Sequence, residues 1–249
     1  MQYGICPLSI IPLRIMPHDE SELTSQLLYG EHFKILEERA EWSRIRVAFD
    51  GFEAWAKNKQ LKKIPKSLYT EIDNTPQKLA GDLIEFLVSK KQELILIPLG
   101  SSLQVLNFLE HSFDGNSVEG TFHKSNIIET ALFYHNVPHL SGGKSPLGID
   151  ASGFTQMVYK LNGYNLKRSA ISQAKQGEAL SFIEESEPGD LAFFDDQDGI
   201  INHVGIIMEN NYIIHVDEKV RIDRIDHSGI FNIELRKHTY KLRVIKKII

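Results

Sequence analysis

The stretch Gly148-Ile149-Asp150-Ala151-Ser152-Gly153-Phe154-Thr155-Gln156 leads into Met157, Val158 and Leu161. Phe154, Met157, Val158 and Leu161 recur at i, i+3, i+4 and i+7, so a buried helix is expected to start near residue 151. Asn162-Gly163 supplies its stop. Residue 151 then sits at a helix N-terminus, where unpaired backbone N–H groups and the helix dipole favour negative charge. A cysteine placed there would have a lowered pKa and act as a thiolate nucleophile. The residue is Ala151.

Downstream, Gly189 to Phe194 reads as a turn followed by a strand. His203 to Met208 and Tyr212 to Val216 are apolar strands joined by Glu209-Asn210-Asn211, a hairpin loop. If Met208 pairs with Tyr212, His215 lies opposite Gly205, and His203 is diagonal to it on the same face. Two imidazoles can thus share one end of a sheet. One could serve as base to a nucleophile on the packed helix while the other orients it.

Upstream, residues 1 to about 65 read as short strands: Ile10 to Arg14, His32 to Leu36, Trp42 to Val47 and Gly51 to Ala56. Ile45 and Val47 share one face and Arg44 and Arg46 the other, the period-2 pattern of a half-buried strand. Such short strands suggest a small antiparallel barrel. Pro65 to Gln77 reads as a polar connection, and the spacing of Leu79, Leu83, Phe86 and Leu87 predicts a short helix. Leu94 to Leu99 reads as a strand. With Val105 to Leu109 and Gly115 to His123 it gives a second, more divergent barrel. Helical spacing resumes over Ser125 to Asn136.

Trp42-Ser43-Arg44-Ile45-Arg46-Val47, followed by Asp50-Gly51-Phe52-Glu53-Ala54-Trp55, resembles the end of a bacterial Src-homology-3-like domain. Gly148 to Gln156 resembles the G-x-D-C-S-G-F-[VT]-Q box of NlpC-type, papain-like cysteine peptidases with Cys changed to Ala. Pro188-Gly189-Asp190-Leu191 and His203-Val204-Gly205-Ile206 resemble that family's P-G-D-L turn and H-V-G-I strand. The resemblance implies an α+β fold: a papain-like NlpC-type domain at 125–249, preceded by small all-β Src-homology-3-like barrels at 1–65 and 75–123. It is closest to the cytoplasmic members that cleave γ-D-glutamyl–diamino-acid bonds in recycled muropeptides and need a free N-terminal L-Ala on the substrate. By position it puts Ala151 at the nucleophile, His203 at the general base and His215 at the orienting residue. Asp150, Ser152 and Arg168 fall in the substrate pocket. The family's Y-x-W-G-G entry appears as His139-Leu140-Ser141-Gly142-Gly143, which brings Ser141 to the pocket with both aromatics changed. Ser169 stands where the subfamily has Asp.

Other readings of these residues are weaker. Ser152 is turned by roughly 100° from position 151, too far to replace the nucleophile, and suits a pocket or helix-end hydroxyl. His135 and His139 have a metal-pair spacing, but Pro138 disturbs the helix that would align them and no further ligands complete a set, so no metal and no cofactor is expected. Glu53 could meet a substrate amine, although a solvated strand carboxylate is its simpler role. Gly142-Gly143-Lys144-Ser145 is similar to the end of a phosphate loop, but Pro138 occupies the place of the earlier glycine.

As written, then, the chain is expected to be a cysteine peptidase by family but inactive. Either the cysteine was exchanged on an intact scaffold, or the protein is a natural pseudoenzyme that binds peptidoglycan peptides or a protein partner. The changes at His139, Ser141 and Ser169 favour the second.

The 249 residues are 42% hydrophobic and 24% charged, ordinary for a globular protein. A net charge of −5 with no basic block argues against nucleic acid as a partner. Lys62-Lys63 is too short to count, and Lys241 to Lys247 reads as a final strand. The single cysteine, Cys6, cannot form an intrachain disulfide. Pro7, Pro12 and Arg14 interrupt the N-terminal apolar residues, so no leader and no membrane span is expected, and the simplest compartment is the cytoplasm.

Overall fold

The computed structural model describes all 249 residues and divides into two compact units. The first comprises Met1–Thr121 and Ser141–Pro146, the second Phe122–Leu140 and Leu147–Ile249.

The first unit opens with β1 (Gln2–Ile5), β2 (Ile10–Arg14), β3 (Leu23–Leu28), β4 (His32–Glu38), β5 (Trp42–Val47), β6 (Glu53–Lys57) and β7 (Lys62–Ile64). They form one antiparallel sheet in the order β3-β2-β6-β5-β4-β1-β7. Ile45 and Val47 of β5 are buried and Arg44 and Arg46 exposed, as the alternation requires. They join Ile11, Leu13, Leu27, Phe33, Ala54 and Ala56 in the barrel core. The β5–β6 turn uses Gly51 at φ 75°, and Asp50 Oδ1 accepts the Phe52 N–H at 2.8 Å.

After β7 the structure departs from the pattern-based reading. The expected polar connection holds α1 (Lys66–Asn74), whose buried face is only Tyr69 and Ile72. Too few apolar residues lie on that face to register against its polar majority. The expected helix over Leu79 to Lys90 is instead two strands, β8 (Lys78–Ala80) and β9 (Ile84–Ser89), broken at Gly81-Asp82. Its helix-like leucine spacing is coincidental: Leu87 is buried and Phe86 exposed, and β9 pairs with β10 (Leu94–Pro98). Val105 to Leu109, read as barrel strand, contains α2 (Leu106–Leu109). Two short strands, β11 (His111–Ser112) and β12 (Ser117–Glu119), complete the small sheets β10-β9-β11 and β12-β8. Ile5, Tyr29 and Ile64 share one core with Tyr69, Ile72, Leu87, Ile97 and Val105.

Residues 141–146 also belong here and carry β13 (Lys144–Ser145). Lys144 is 1% exposed. Its Nζ lies 3.2 Å from Glu31 Oε1, and its backbone N–H donates to Gln26 Oε1 at 2.8 Å. Gly142 has φ +76°, and a Cβ there would fall 2.4 Å from the Leu23 carbonyl oxygen. The Gly-Gly-Lys-Ser run is thus a buried strut built on an ion pair.

In the second unit, α3 (Asn126–Leu132), β14 (Gly148–Ile149), α4 (Ala151–Leu161) and α5 (Ala170–Gln173) precede β15 (Glu178–Leu180), β16 (Leu191–Asp195), β17 (Ile201–Met208), β18 (Tyr212–Asp217), β19 (Lys219–Asp226), β20 (Gly229–Asn232) and β21 (Lys237–Lys247). The sheet order is β15-β21-β16-β17-β18-β19-β20, and β21 also pairs with β20, closing six strands on themselves. One face buries Ala192, Phe194, Ile207, Ile213, Ile225 and Ile245. The alternate residues, among them Phe193, Val204, Ile206, Ile214 and Val216, are buried as well, and α4 packs against β17 and β18. No helix of the chain is long and apolar enough to cross a membrane.

Candidate active site

Helix α4 begins at Ala151 because Asp150 caps it. The Asp150 backbone is extended, and its Oδ1 accepts the Gly153 N–H at 2.6 Å. The helix is buried along its whole length from Gly153 to Leu161, beyond the single stripe that Phe154, Met157, Val158 and Leu161 define. Two of its buried polar side chains are bonded internally. Thr155 Oγ1 donates to Gln173 Oε1 at 2.8 Å, and Gln156 Nε2 donates to the Leu166 carbonyl at 3.0 Å.

Arg168 lies beside this helix start, with its side chain only 3% exposed. Nη2 meets Asp150 Oδ2 at 2.6 Å, and Nη1 reaches Asp150 Oδ1 and Ser152 Oγ, each at 3.0 Å. The Ser152 hydroxyl in turn donates to Asp150 Oδ1 at 3.1 Å. Gln173 Nε2 ties the group together by donating to the carbonyls of Ser152 and Lys167. Ser169 caps α5, its Oγ accepting the Ser172 N–H.

The hairpin forms in the expected register. Met208 pairs with Tyr212 and Gly205 with His215, and His203 projects from the same face. His203 Nε2 lies 3.0 Å from His215 Nδ1. Beyond it, His215 Nε2 lies 3.1 Å from Asp223 Oδ2 on β19, and Arg221 grips that carboxylate through Nε at 2.6 Å and Nη2 at 3.1 Å. Glu234 completes the row at 3.0 Å from Arg221 Nη1. Gly205 is required by this geometry, because a Cβ there would approach His215 Cβ to 2.9 Å.

Burial and hydrogen bonding shift the titration of His203 and of Asp223. His203 is held well below the ordinary imidazole range, first by desolvation and then by His215 and His139. Burial raises the Asp223 carboxyl, but hydrogen bonds from His215 and Arg221 outweigh it and leave the group below its usual value. Tyr240 stacks on the His203 ring at 3.9 Å and 12°, and Phe194 closes another side at 5.7 Å. His139 pairs with Ile149, two residues before Ala151, and is also one of the groups that lower the His203 pKa.

Ala151, Asp150, Ser152 and Arg168 are thus gathered at the start of α4, and His203 and His215 on the hairpin. Glu53 and Ser141 belong to the first unit. Glu53 is on β6 with its carboxylate bound by Arg46 Nη2 at 2.6 Å, and Ser141 is exposed. Sequence reasoning missed Asp223, Arg221 and Tyr240. A signal existed for Asp223. Extending the antiparallel register by one strand sets Arg221 opposite His215 and Asp223 opposite Ile213, so the acid shares the histidines' face.

The sequence pattern of the NlpC/P60 family matches residues 136–238, and that of the bacterial dipeptidyl-peptidase Sh3 domain matches residues 13–61. A γ-D-glutamyl-L-lysine dipeptidyl-peptidase of Bacillus subtilis is 30% identical over 217 residues, 79% of this chain and 73% of the relative. The Bacillus cereus protein of the same name is 24% identical over 227 residues, 78% of this chain and 67% of that one. A crystal structure of an NlpC/P60 family protein from Bacillus cereus superposes with a TM-score of 0.81 at 19% identity, covering 99% of both chains. The family pattern lies over the helix start and both histidines, and a relative of this identity runs through most of both chains: the protein belongs to the NlpC/P60 family of cysteine peptidases.

Proposed function

We propose that this protein is a γ-D-glutamyl–diamino-acid endopeptidase scaffold that binds a cell-wall peptide with a free N-terminal L-Ala and leaves it uncut. The observation that carries the reading is a methyl group at Ala151, in the first turn of a capped helix that packs on the two strands bearing a buried histidine row. The bond class is taken over from the relatives' name, γ-D-glutamyl-L-lysine dipeptidyl-peptidase. In this reading His203 is the base, His215 orients it, and the Asp150–Ser152–Arg168 group forms a wall of the peptide pocket. Without sulfur at 151 no acyl-enzyme forms, and the remaining activity is recognition. The lone buried Cys6 accords with a reducing compartment, and we assign the protein to the cytoplasm.

The test pairs the unaltered chain with Ala151→Cys on L-Ala-γ-D-Glu-diaminopimelate. Calorimetry should show that the unaltered chain binds the peptide, and chromatography that it leaves the peptide intact. The Cys variant should release L-Ala-γ-D-Glu. Cys6 is fully buried with its thiol pushed up by burial, so alkylation that abolishes cleavage reports on position 151 alone. Cleavage by the unaltered chain, or a variant that neither binds nor cuts, refutes the proposal.

A further inference from the structure

We propose that Asp223, braced by Arg221, is the positioning residue that sets the tautomers of both histidines and leaves the lone pair of His203 Nδ1 free as the base. The inference rests on the reading of His203 as base to position 151, and deepens it. The row is His203 Nε2 to His215 Nδ1 at 3.0 Å, His215 Nε2 to Asp223 Oδ2 at 3.1 Å, and Arg221 Nε and Nη2 to the two Asp223 oxygens.

Donor counting gives the row one direction. Guanidinium only donates and an ionised carboxylate only accepts. Asp223 receives Arg221 on both oxygens and is 1% exposed, so it stays ionised and His215 Nε2 must supply the proton between them. A neutral imidazole has one such proton. His215 Nδ1 is therefore bare and accepts, and His203 Nε2 must donate across the 3.0 Å contact. The only proton of neutral His203 is then on Nε2. Its Nδ1 is unprotonated and has no hydrogen-bond partner within the protein.

Reversing the row would put a proton on His203 Nδ1 and remove the base. The third imidazole alone cannot prevent this, since histidine donates or accepts at either nitrogen. Direction is imposed only by a group that cannot donate, and that group is Asp223. Stacking by Tyr240 holds the ring plane but does not distinguish the two nitrogens. The other titratable groups around the pair are His139 near His203 and Glu234 behind Arg221.

The experiment is long-range proton–nitrogen NMR of the imidazoles in the full-length, unaltered protein at about pH 8, above the ordinary imidazole range. Both His203 and His215 should have the proton on Nε2, with Nδ1 bare. Asp223→Leu should abolish that preference, giving a reversed or averaged pair, whereas Arg221→Gln, which keeps the carboxylate, should retain it. A proton on Nδ1 of either ring in the unaltered protein overturns the proposal, and so does an Asp223→Leu protein with unchanged tautomers. If Asp223→Leu does not fold, the spectrum of the unaltered chain still decides.

In the Ala151→Cys background, Asp223→Asn should lower kcat about 10- to 100-fold with KM unchanged, less than a general base itself contributes. In either placement, one N–H of the Asn amide faces an N–H of Arg221. An unchanged kcat counts against the inference. An inactive Ala151→Cys protein with the expected tautomers would instead overturn the functional reading and leave the row intact.

Discussion

Replacing His203 with Gln should flatten the acid side of the second unit's stability curve. His203 is 5% exposed and held well below its ordinary pKa, by desolvation first and by His215 and His139 after that. The unfolded chain protonates this ring near pH ~6.5, while the folded chain resists. Between those two pH values the unfolded state binds up to one proton more, so stability rises with pH and is lost on acidification. The slope approaches about 1.4 kcal/mol per pH unit. Integrated from pH ~7 to ~5, the loss is about 2 kcal/mol for a folded pKa below that window. Asp223 also has a depressed pKa, but its contribution is lost only at lower pH, below about 3.9. His215, His139 and Asp223 are present in both proteins, so the comparison concerns the slope and is indifferent to the fixed cost of the substitution. Both tryptophans, Trp42 and Trp55, lie in the first unit, so indole fluorescence would report on the wrong part of the chain. Native-state hydrogen exchange of the β17 and β18 amides at several pH values reads the second unit directly. Parallel curves for the two proteins over that window, or an unaltered chain that gains stability on acidification, would refute the reasoning.

The cap and the ring placement give two further expectations. Asp150→Ala removes both the cap of α4 and the carboxylate that Arg168 grips, and should cost about 2–4 kcal/mol in denaturant unfolding. Asp150→Asn keeps a capping oxygen and should cost roughly half as much; equal costs would mean that the capping oxygen contributes nothing and the Arg168 pair carries the whole effect. Gly205→Ala should displace the His215 ring, since its Cβ would lie 2.9 Å from His215 Cβ and 2.8 Å from Ile213 Cδ1. The expected cost is about 1–3 kcal/mol, with altered imidazole resonances in the NMR spectrum. An unperturbed His215 in that variant would show that the strand yields instead.

The sequence by itself determined the elements whose causes are short-range. The start of α4 follows from Asp150 and the spacing of Phe154, Met157, Val158 and Leu161, and the β17–β18 register follows from a three-residue loop. Once that loop is fixed, period-2 geometry alone puts His203 and His215 on one face. The first barrel was legible for the same reason, through the Ile45/Val47 alternation and the Asp50-Gly51 turn. Residues 66–90 and 105–109 depart from the local pattern because their apolar residues answer to distant partners, while the strand expected over Leu94 to Leu99 forms as β10. Tyr69 and Ile72 are buried against Ile5 and Tyr29, and Leu87 belongs to the same core, so the local period carried little of the signal. At the start of α4 the fold added partners that no local pattern encodes: the Arg168 side chain is only 3% exposed, and its guanidinium is bonded to Asp150 and Ser152. Only the tertiary structure decided that Asp223 and Arg221 stand behind His215. A hydrogen-bonded row running from β17 through β18 to β19 exists when three strands are side by side, and no local pattern encodes the closure of a sheet. Ala151, where the family resemblance expects a cysteine, is legible in the sequence alone. What the fold added is the buried hydrogen-bonded row from His203 through His215 to Asp223.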